Sequence, residues 1–173
     1  RALDEAGLTH ITTDSAGTSG WHVGGPPDPR AVKAALMRDI DISAQRARQV
    51  AAGDFSRFDI IAAMDRDNYA RLRELQPDGS TGRVHLFLEF AGELPVREVP
   101  DPYYGGEDGF DHALDLIELA ARGLATHISA RARENTSSSP YGTPPRDARA
   151  ENSTNWLTSK TRDIYRLWAL TYP

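Results

Sequence analysis

The order of apolar segments along the chain predicts an α/β fold with a mostly parallel sheet. Short apolar runs alternate with stretches of helical periodicity, which is the pattern of βαβ units. One run, Phe58–Met64, is almost wholly apolar, as expected of a strand that is buried on both faces of a parallel sheet. A later stretch, Gly109–Leu124, places its apolar side chains on one helical stripe and gives the strongest periodic signal in the sequence.

Three elements are predicted before the apolar strand. Arg1–Ala6 has the pattern of the last turns of an amphipathic helix, and Gly7 follows at the position where a left-handed residue commonly ends a helix. Thr9–Thr13 is rich in β-branched residues and is predicted to be a strand. Pro29–Arg38 is predicted to be a helix, with Asp28 as its N-cap and a proline in its first position.

Two further elements lie between the apolar strand and the last helix. Asp65–Leu75 has apolar and aromatic side chains at helical spacing, so it is predicted to be a helix. Val84–Phe90 is a candidate for the third strand. Since ligands of parallel α/β proteins bind beyond the carboxyl ends of the strands, we expect functional residues in the loops that follow Thr13, Met64 and Phe90.

The composition limits the class of protein. The chain has 173 residues, 20 basic and 25 acidic side chains and no cysteine, so disulfides, zinc–thiolate sites and thiol nucleophiles are excluded within these residues. The net charge of −5, without a basic stripe, argues against nucleic-acid binding. No apolar run reaches the roughly 18 residues of a membrane span, and the first residues lack the core of a signal peptide, so a cytoplasmic protein is expected.

The composition changes near Ile128. Residues 1–128 are predicted to form one acidic domain, and residues 129–173 a mildly basic linker and tail of unknown role. The start of this tail, Ser129–Pro145, is rich in serine and proline and is expected to be disordered or irregular.

The loop Asp14–Asp28 is the first candidate for a functional segment. It contains four glycines, three hydroxyl side chains and the indole of Trp21. The glycine spacing matches neither of the common phosphate-binding patterns, GxGxxG and GxxxxGK[ST]. By itself the loop is equally well explained as a flexible connection.

The second candidate is a carboxylate between two prolines, Asp101, which is followed by Tyr103 and Tyr104. The prolines restrict the backbone on both sides of the aspartate. A rigidly held carboxyl group suits a general acid, because proton donation depends on geometry before pKa. The two tyrosines could wall a flat aromatic substrate. An isolated Asp-Pro pair is, however, more often an ordinary turn.

No metal or cofactor site is expected. Asp65, Asp67 and Asn68 resemble a carboxylate cluster for Mg²⁺, but helix capping by Asp65 explains them better. The histidines are far apart and lack the spacing of metal ligands.

Taken together and in this order, five segments resemble the low-molecular-weight protein tyrosine phosphatase family. The similarity covers about residues 1–127, and Asp-Pro-Tyr-Tyr-Gly is its most specific motif. The five segments are Asp14–Gly24, Pro26–Ala31, Ala47–Val50, Phe58–Asp65 and Asp101–Gly105.

The resemblance implies a flavodoxin-like parallel sheet of about four strands with flanking helices, and hydrolysis of phosphotyrosine proteins or small aryl phosphates through a phosphocysteine. Asp101 matches the general acid of the family. Trp21 and Tyr103 match the residues that flank the aromatic ring of the substrate, and Tyr104 lies beside them. Ser15 matches a hydroxyl that braces the phosphate loop. No cofactor or metal is implied.

The chain departs from the family at its start. In the family a first strand and a C-x5-R phosphate loop, with the nucleophile and the phosphate-binding arginine, precede the segment equivalent to Arg1. We therefore expect an N-terminally truncated sequence that is inactive as it stands. A non-catalytic module that binds phosphotyrosine or another aromatic ligand is the alternative.

The last segment, Ile164–Tyr172, has the length and β-rich content of a strand that could occupy the place of the family's first strand. It also has the apolar spacing of an amphipathic helix, so both possibilities stay open.

Overall fold

A computed structural model describes residues 1–103 and 106–137, and the backbone of residues 165–166. The helices in these ranges are α1 (Ala2–Glu5), α2 (Pro29–Leu36), α3 (Asp54–Arg57), α4 (Arg66–Leu75) and α5 (Gly106–Ser137), with a 3₁₀ helix at Phe87–Ala91. The strands are β1 (Ile60–Ala63), β2 (Arg83–Leu86) and β3 (Tyr165–Arg166). None of the helices in the described ranges is long and apolar enough to cross a membrane.

The strands form a parallel sheet in the order β2-β1-β3. β1 pairs with β2 along its whole length, from Ile60 opposite Arg83 to Ala63 opposite Leu86. On its other edge, β1 pairs with β3 through Ile60 and Ile61 only. β3 belongs to the segment Ile164–Tyr172, whose other residues lie outside the part that the structure describes. At its two described residues this segment is a strand, which is one of the two structures, strand or helix, that its sequence left open.

Both faces of β1 are buried, as the apolar run predicts. Ile60 and Ala62 pack into a core shared with α5, whereas Ile61 and Ala63 pack against α3 and α4 on the opposite face. This alternation is the two-residue period of a strand. The sheet therefore lies between two helical layers, and the predicted α/β class is confirmed.

The predicted starts of α2 and α4 are confirmed by their caps. Asp28 Oδ1 accepts a hydrogen bond from the Arg30 N–H (2.7 Å), and Pro29 is the first residue of α2. Asp65 Oδ1 accepts one from the Asn68 N–H (2.6 Å) at the start of α4. Each carboxylate satisfies a backbone donor that has no partner within the helix.

Two strand predictions need correction. Thr9–Thr13 is not a strand in the described part, where Thr12 makes only an isolated bridge. An extended segment becomes a strand only beside a partner that completes its ladder of hydrogen bonds. Val84–Phe90 is a strand only as far as Leu86, because the chain then turns into the 3₁₀ helix and buries both Phe87 and Leu88.

The last helix is longer than predicted. α5 contains the whole stretch Gly109–Leu124 and continues to Ser137. The expectation of an irregular chain is therefore wrong for residues 129–137. The residues directly after Ile128 are mostly alanine, arginine and glutamate, which favour helix, and Ile128 itself is buried in the core. The remainder of Ser129–Pro145 lies outside the described residues.

Candidate functional site

The site is built at the carboxyl end of β1. The Val99 N–H donates a hydrogen bond to the Met64 carbonyl (2.9 Å), and both side chains are buried. This bond attaches the segment that begins at Pro100 to the end of the strand. Asp101 is consequently held at the edge of the sheet where parallel α/β proteins bind ligands.

The loop around Asp101 is locally ordered. The Tyr103 N–H donates to Asp101 Oδ1 (2.7 Å), so the carboxylate closes a turn over its own backbone. Pro102 is fully buried, and the Asp101 side chain is exposed. The carboxyl group is thus fixed by its neighbours while remaining open to a ligand.

The structure places the predicted aromatic walls on the surface. The side chain of Trp21 is 83% exposed and that of Tyr103 is 40% exposed, although both are large and partly apolar. Both rings are therefore accessible to another molecule. Tyr104 lies outside the described residues.

The glycine-containing loop that carries Trp21 is attached by backbone pairing. The Gly17 N–H donates to the Arg48 carbonyl (2.8 Å), and the Val50 N–H donates to the Gly17 carbonyl (2.9 Å). Farther along, the Gly24 N–H donates to the Ala47 carbonyl (2.8 Å). The loop is therefore paired with residues 47–50 on both sides of Trp21.

Ser15 lies in a cleft between this loop, β1 and α4. The cleft has a volume of about 460 Å³ including its mouth, and its polar lining includes Asp14, Ser15, Arg48 and Asn68. The Ser15 N–H donates to Asp14 Oδ1 (2.6 Å). Ser15 thus lies near β1, whose carboxyl end holds the Asp101 segment, and near the start of α4.

The sequence analysis missed Arg48 as a structural residue of this cleft. Arg48 Nη1 donates to Asp54 Oδ2 (2.8 Å), and Nε lies 3.7 Å from Asp14 Oδ2. The guanidinium joins the loop to α3, where Asp54 is 8% exposed. The segment Ala47–Val50, named above for its resemblance to the family, contains this arginine. The sequence separation between Arg48 and its two acidic partners does not indicate that they would meet.

The sequence analysis also missed Arg30. Its Nη1 donates to the Tyr103 carbonyl (3.1 Å), and its guanidinium carbon lies 5.1 Å from the centre of the Tyr103 ring. The available signal was its position two residues after the N-cap Asp28, with which it forms an ion pair (2.8 Å).

Asp65, the first carboxylate after β1, caps α4. Burial raises the pKa of Asp65, and the nearby Asp67 and Glu98 carboxylates raise it further. One Asp65 oxygen is used by the Asn68 N–H. Among residues 1–103 and 108–134, no group of three or more histidine or acidic side chains has an arrangement that could hold a metal ion.

Comparison with known proteins gives the family. The sequence model described as low molecular weight phosphotyrosine protein phosphatase matches residues 1–134. A Schizosaccharomyces pombe protein named low molecular weight phosphotyrosine protein phosphatase is 41% identical over 121 residues, which are 68% of this chain and 77% of the relative. The chain belongs to the low molecular weight phosphotyrosine protein phosphatase family.

Solved structures of this phosphatase family agree with the fold. A protein tyrosine phosphatase from Entamoeba histolytica, crystallised with Hepes in its active site, has a TM-score of 0.71 and 34% identity, covering 76% of this chain and 84% of that one. Vibrio vulnificus Wzb in complex with benzylphosphonate has a TM-score of 0.63 and 28% identity, covering 73% and 86%. The domain therefore has the flavodoxin-like α/β fold of these phosphatases.

Proposed function

We propose that this domain takes part in hydrolysis of phosphotyrosine and related aryl phosphates, with Asp101 as the general acid and base. The observation that carries the proposal is the fixed and exposed carboxylate of Asp101, held at the carboxyl end of β1 beside the exposed ring of Tyr103. Family membership supplies the reaction class, and this geometry is what supports the assignment of Asp101 to a role in it.

The first proposed step transfers the phosphoryl group to a thiolate. The sulfur attacks phosphorus, the bond between phosphorus and the phenolic oxygen breaks, and the Asp101 carboxyl group gives its proton to the departing oxygen. In the second step, water attacks the phosphocysteine, the Asp101 carboxylate takes a proton from that water, and the thiolate and inorganic phosphate are released. The proton balance closes over the two steps.

The aromatic residues are proposed to select the substrate. Trp21 and Tyr103 offer ring faces to the phenyl group of an aryl phosphate, with Tyr104 beside them in the sequence. Ser15 is proposed to brace the loop that binds the phosphate. No metal or cofactor takes part in this scheme.

The thiol nucleophile has to come from outside these 173 residues, because they contain no cysteine. The same holds for the C-x5-R arginine and the backbone N–H groups that would bind the phosphate. We therefore propose that the 173-residue chain is catalytically inactive by itself, while its acid and its aromatic walls are intact.

A second candidate is a non-catalytic module that binds phosphotyrosine or another aromatic ligand. The specific observation in its favour is the exposure of Trp21 and Tyr103 in a chain without a thiol. This candidate predicts binding of aryl phosphates without hydrolysis, even when a nucleophile is supplied.

A fusion separates these candidates. When a segment carrying the C-x5-R loop of the family is placed before Arg1, the resulting fusion is expected to hydrolyse p-nitrophenyl phosphate. The added segment supplies the nucleophile and the phosphate-binding groups, and the chain supplies the acid. Release of p-nitrophenol is the measurement. The control replaces the cysteine of the added segment with serine and should be inactive. A folded fusion that binds phenyl phosphate without hydrolysing it would support the binding module instead.

A further inference from the structure

The ring of Tyr103 is packed against a guanidinium. The carbon of the Arg30 guanidinium lies 5.1 Å from the centre of the Tyr103 ring and 4.9 Å from that of Phe110 in α5. Both distances are within the range of attraction between a cation and an aromatic ring. Arg30 therefore contacts both a candidate substrate-binding ring and a buried ring of the core.

The guanidinium is itself held in place by Asp28. Arg30 Nη2 donates to Asp28 Oδ2 (2.8 Å) and Nε donates to Asp28 Oδ1 (3.1 Å), which is a two-point contact. The hydrogen bond from Arg30 lowers the pKa of Asp28. Because Asp28 also caps α2, the guanidinium has a defined position relative to that helix.

The remaining nitrogen of Arg30 reaches the backbone of the Asp101 loop. Arg30 Nη1 donates to the Tyr103 carbonyl (3.1 Å), and the Tyr103 N–H donates to Asp101 Oδ1 (2.7 Å). Arg30 and Asp101 thus bind the two peptide groups of Tyr103. A continuous set of contacts runs from the start of α2 to the candidate acid.

We infer that Arg30 is a positioning residue for Asp101 and Tyr103. Resting on the proposed function, its role is to hold the acid and the aromatic wall in one geometry relative to α2. It does so by stacking behind the ring and by bonding the carbonyl, without contacting the reacting atoms. Arginine is required at this position because lysine lacks the planar fork that binds Asp28 at two points while also reaching Tyr103.

Hydrogen exchange of the Tyr103 amide in the 173-residue chain tests this inference. Arg30→Ala is expected to speed that exchange by about tenfold, because the loop loses both the stacked cation and the carbonyl bond. Arg30→Lys should restore only part of the protection. Asp28→Asn keeps the capping oxygen but removes the charge that holds the fork, so it should speed exchange by a smaller factor.

Arg57 provides the matched control, since its guanidinium carbon lies 5.3 Å from the centre of the Phe58 ring, away from the Asp101 loop. Arg57→Ala should leave exchange at Tyr103 unchanged. Unchanged exchange at Tyr103 in Arg30→Ala would overturn the inference, and so would an equal acceleration throughout α2 and α5, which would mean a purely structural role. The experiment contains no substrate, so its outcome is independent of whether the domain is a phosphatase.

Discussion

Gly123→Ala is expected to destabilise the domain by about 3 kcal/mol or more, although alanine is the better helix former. Gly123 lies inside α5, where that helix crosses the 3₁₀ helix at Phe87–Ala91. An added β-carbon would overlap the carbonyl oxygen of Phe90 and lie 2.7 Å from its carbonyl carbon. Since both are backbone atoms, the two helices would have to separate. Thermal or urea unfolding monitored by circular dichroism measures the effect.

Gly53→Ala is the matched control for this prediction. A β-carbon at Gly53 meets no atom within 4 Å, and its φ of −64° is one that alanine readily adopts. The Gly53→Ala protein should be as stable as the unsubstituted protein or slightly more stable, because alanine restricts the unfolded chain more than glycine does. A Gly123→Ala protein as stable as the Gly53→Ala protein would show that α5 does not approach Phe90 as closely as described.

Asp101→Asn is expected to lower kcat/KM of the active fusion for phenyl phosphate by about 10²- to 10⁴-fold, the range typical of a lost general acid, and this ratio does not contain the later hydrolysis of the phosphocysteine. Asparagine keeps an oxygen that can accept the Tyr103 N–H, so the turn is retained and only proton transfer is removed. The loss should be smaller for p-nitrophenyl phosphate, whose leaving group needs less protonation. Steady-state kinetics with both substrates measures this difference.

Asp78→Asn serves as the control because Asp78 is an exposed carboxylate in the turn between α4 and β2. The kcat/KM of Asp78→Asn should equal that of the unsubstituted fusion with both substrates. If Asp101→Asn lowered kcat/KM equally for good and poor leaving groups, Asp101 would not be the proton donor.

Much of the fold could be predicted because local signals agree with the tertiary environment. The apolar run at Phe58–Met64 gave β1, and the caps Asp28 and Asp65 gave the starts of two helices. Predictions were wrong where a distant partner decides the outcome. Thr9–Thr13 has strand composition without a described ladder partner, and Val84–Phe90 bends after Leu86 to bury two consecutive side chains.

The site was predictable in part for a similar reason. Asp101 and Tyr103 stand out because two prolines and adjacent aromatic residues form a local pattern. Arg30 and Arg48 act on residues 73 and 6 positions away, respectively, and no spacing rule connects such pairs. Asp101, Tyr103, Trp21, Ser15 and Tyr104 all stay predictions as site residues.

Hydrolysis of p-nitrophenyl phosphate by the unmodified 173-residue chain decides whether these residues hold a complete catalytic centre. With an acid and aromatic walls but no cysteine, the folded chain should release p-nitrophenol no faster than a sample without protein. Turnover above that background that disappears in Asp101→Ala would mean that the chain uses a nucleophile other than a thiol, and would contradict the proposed mechanism.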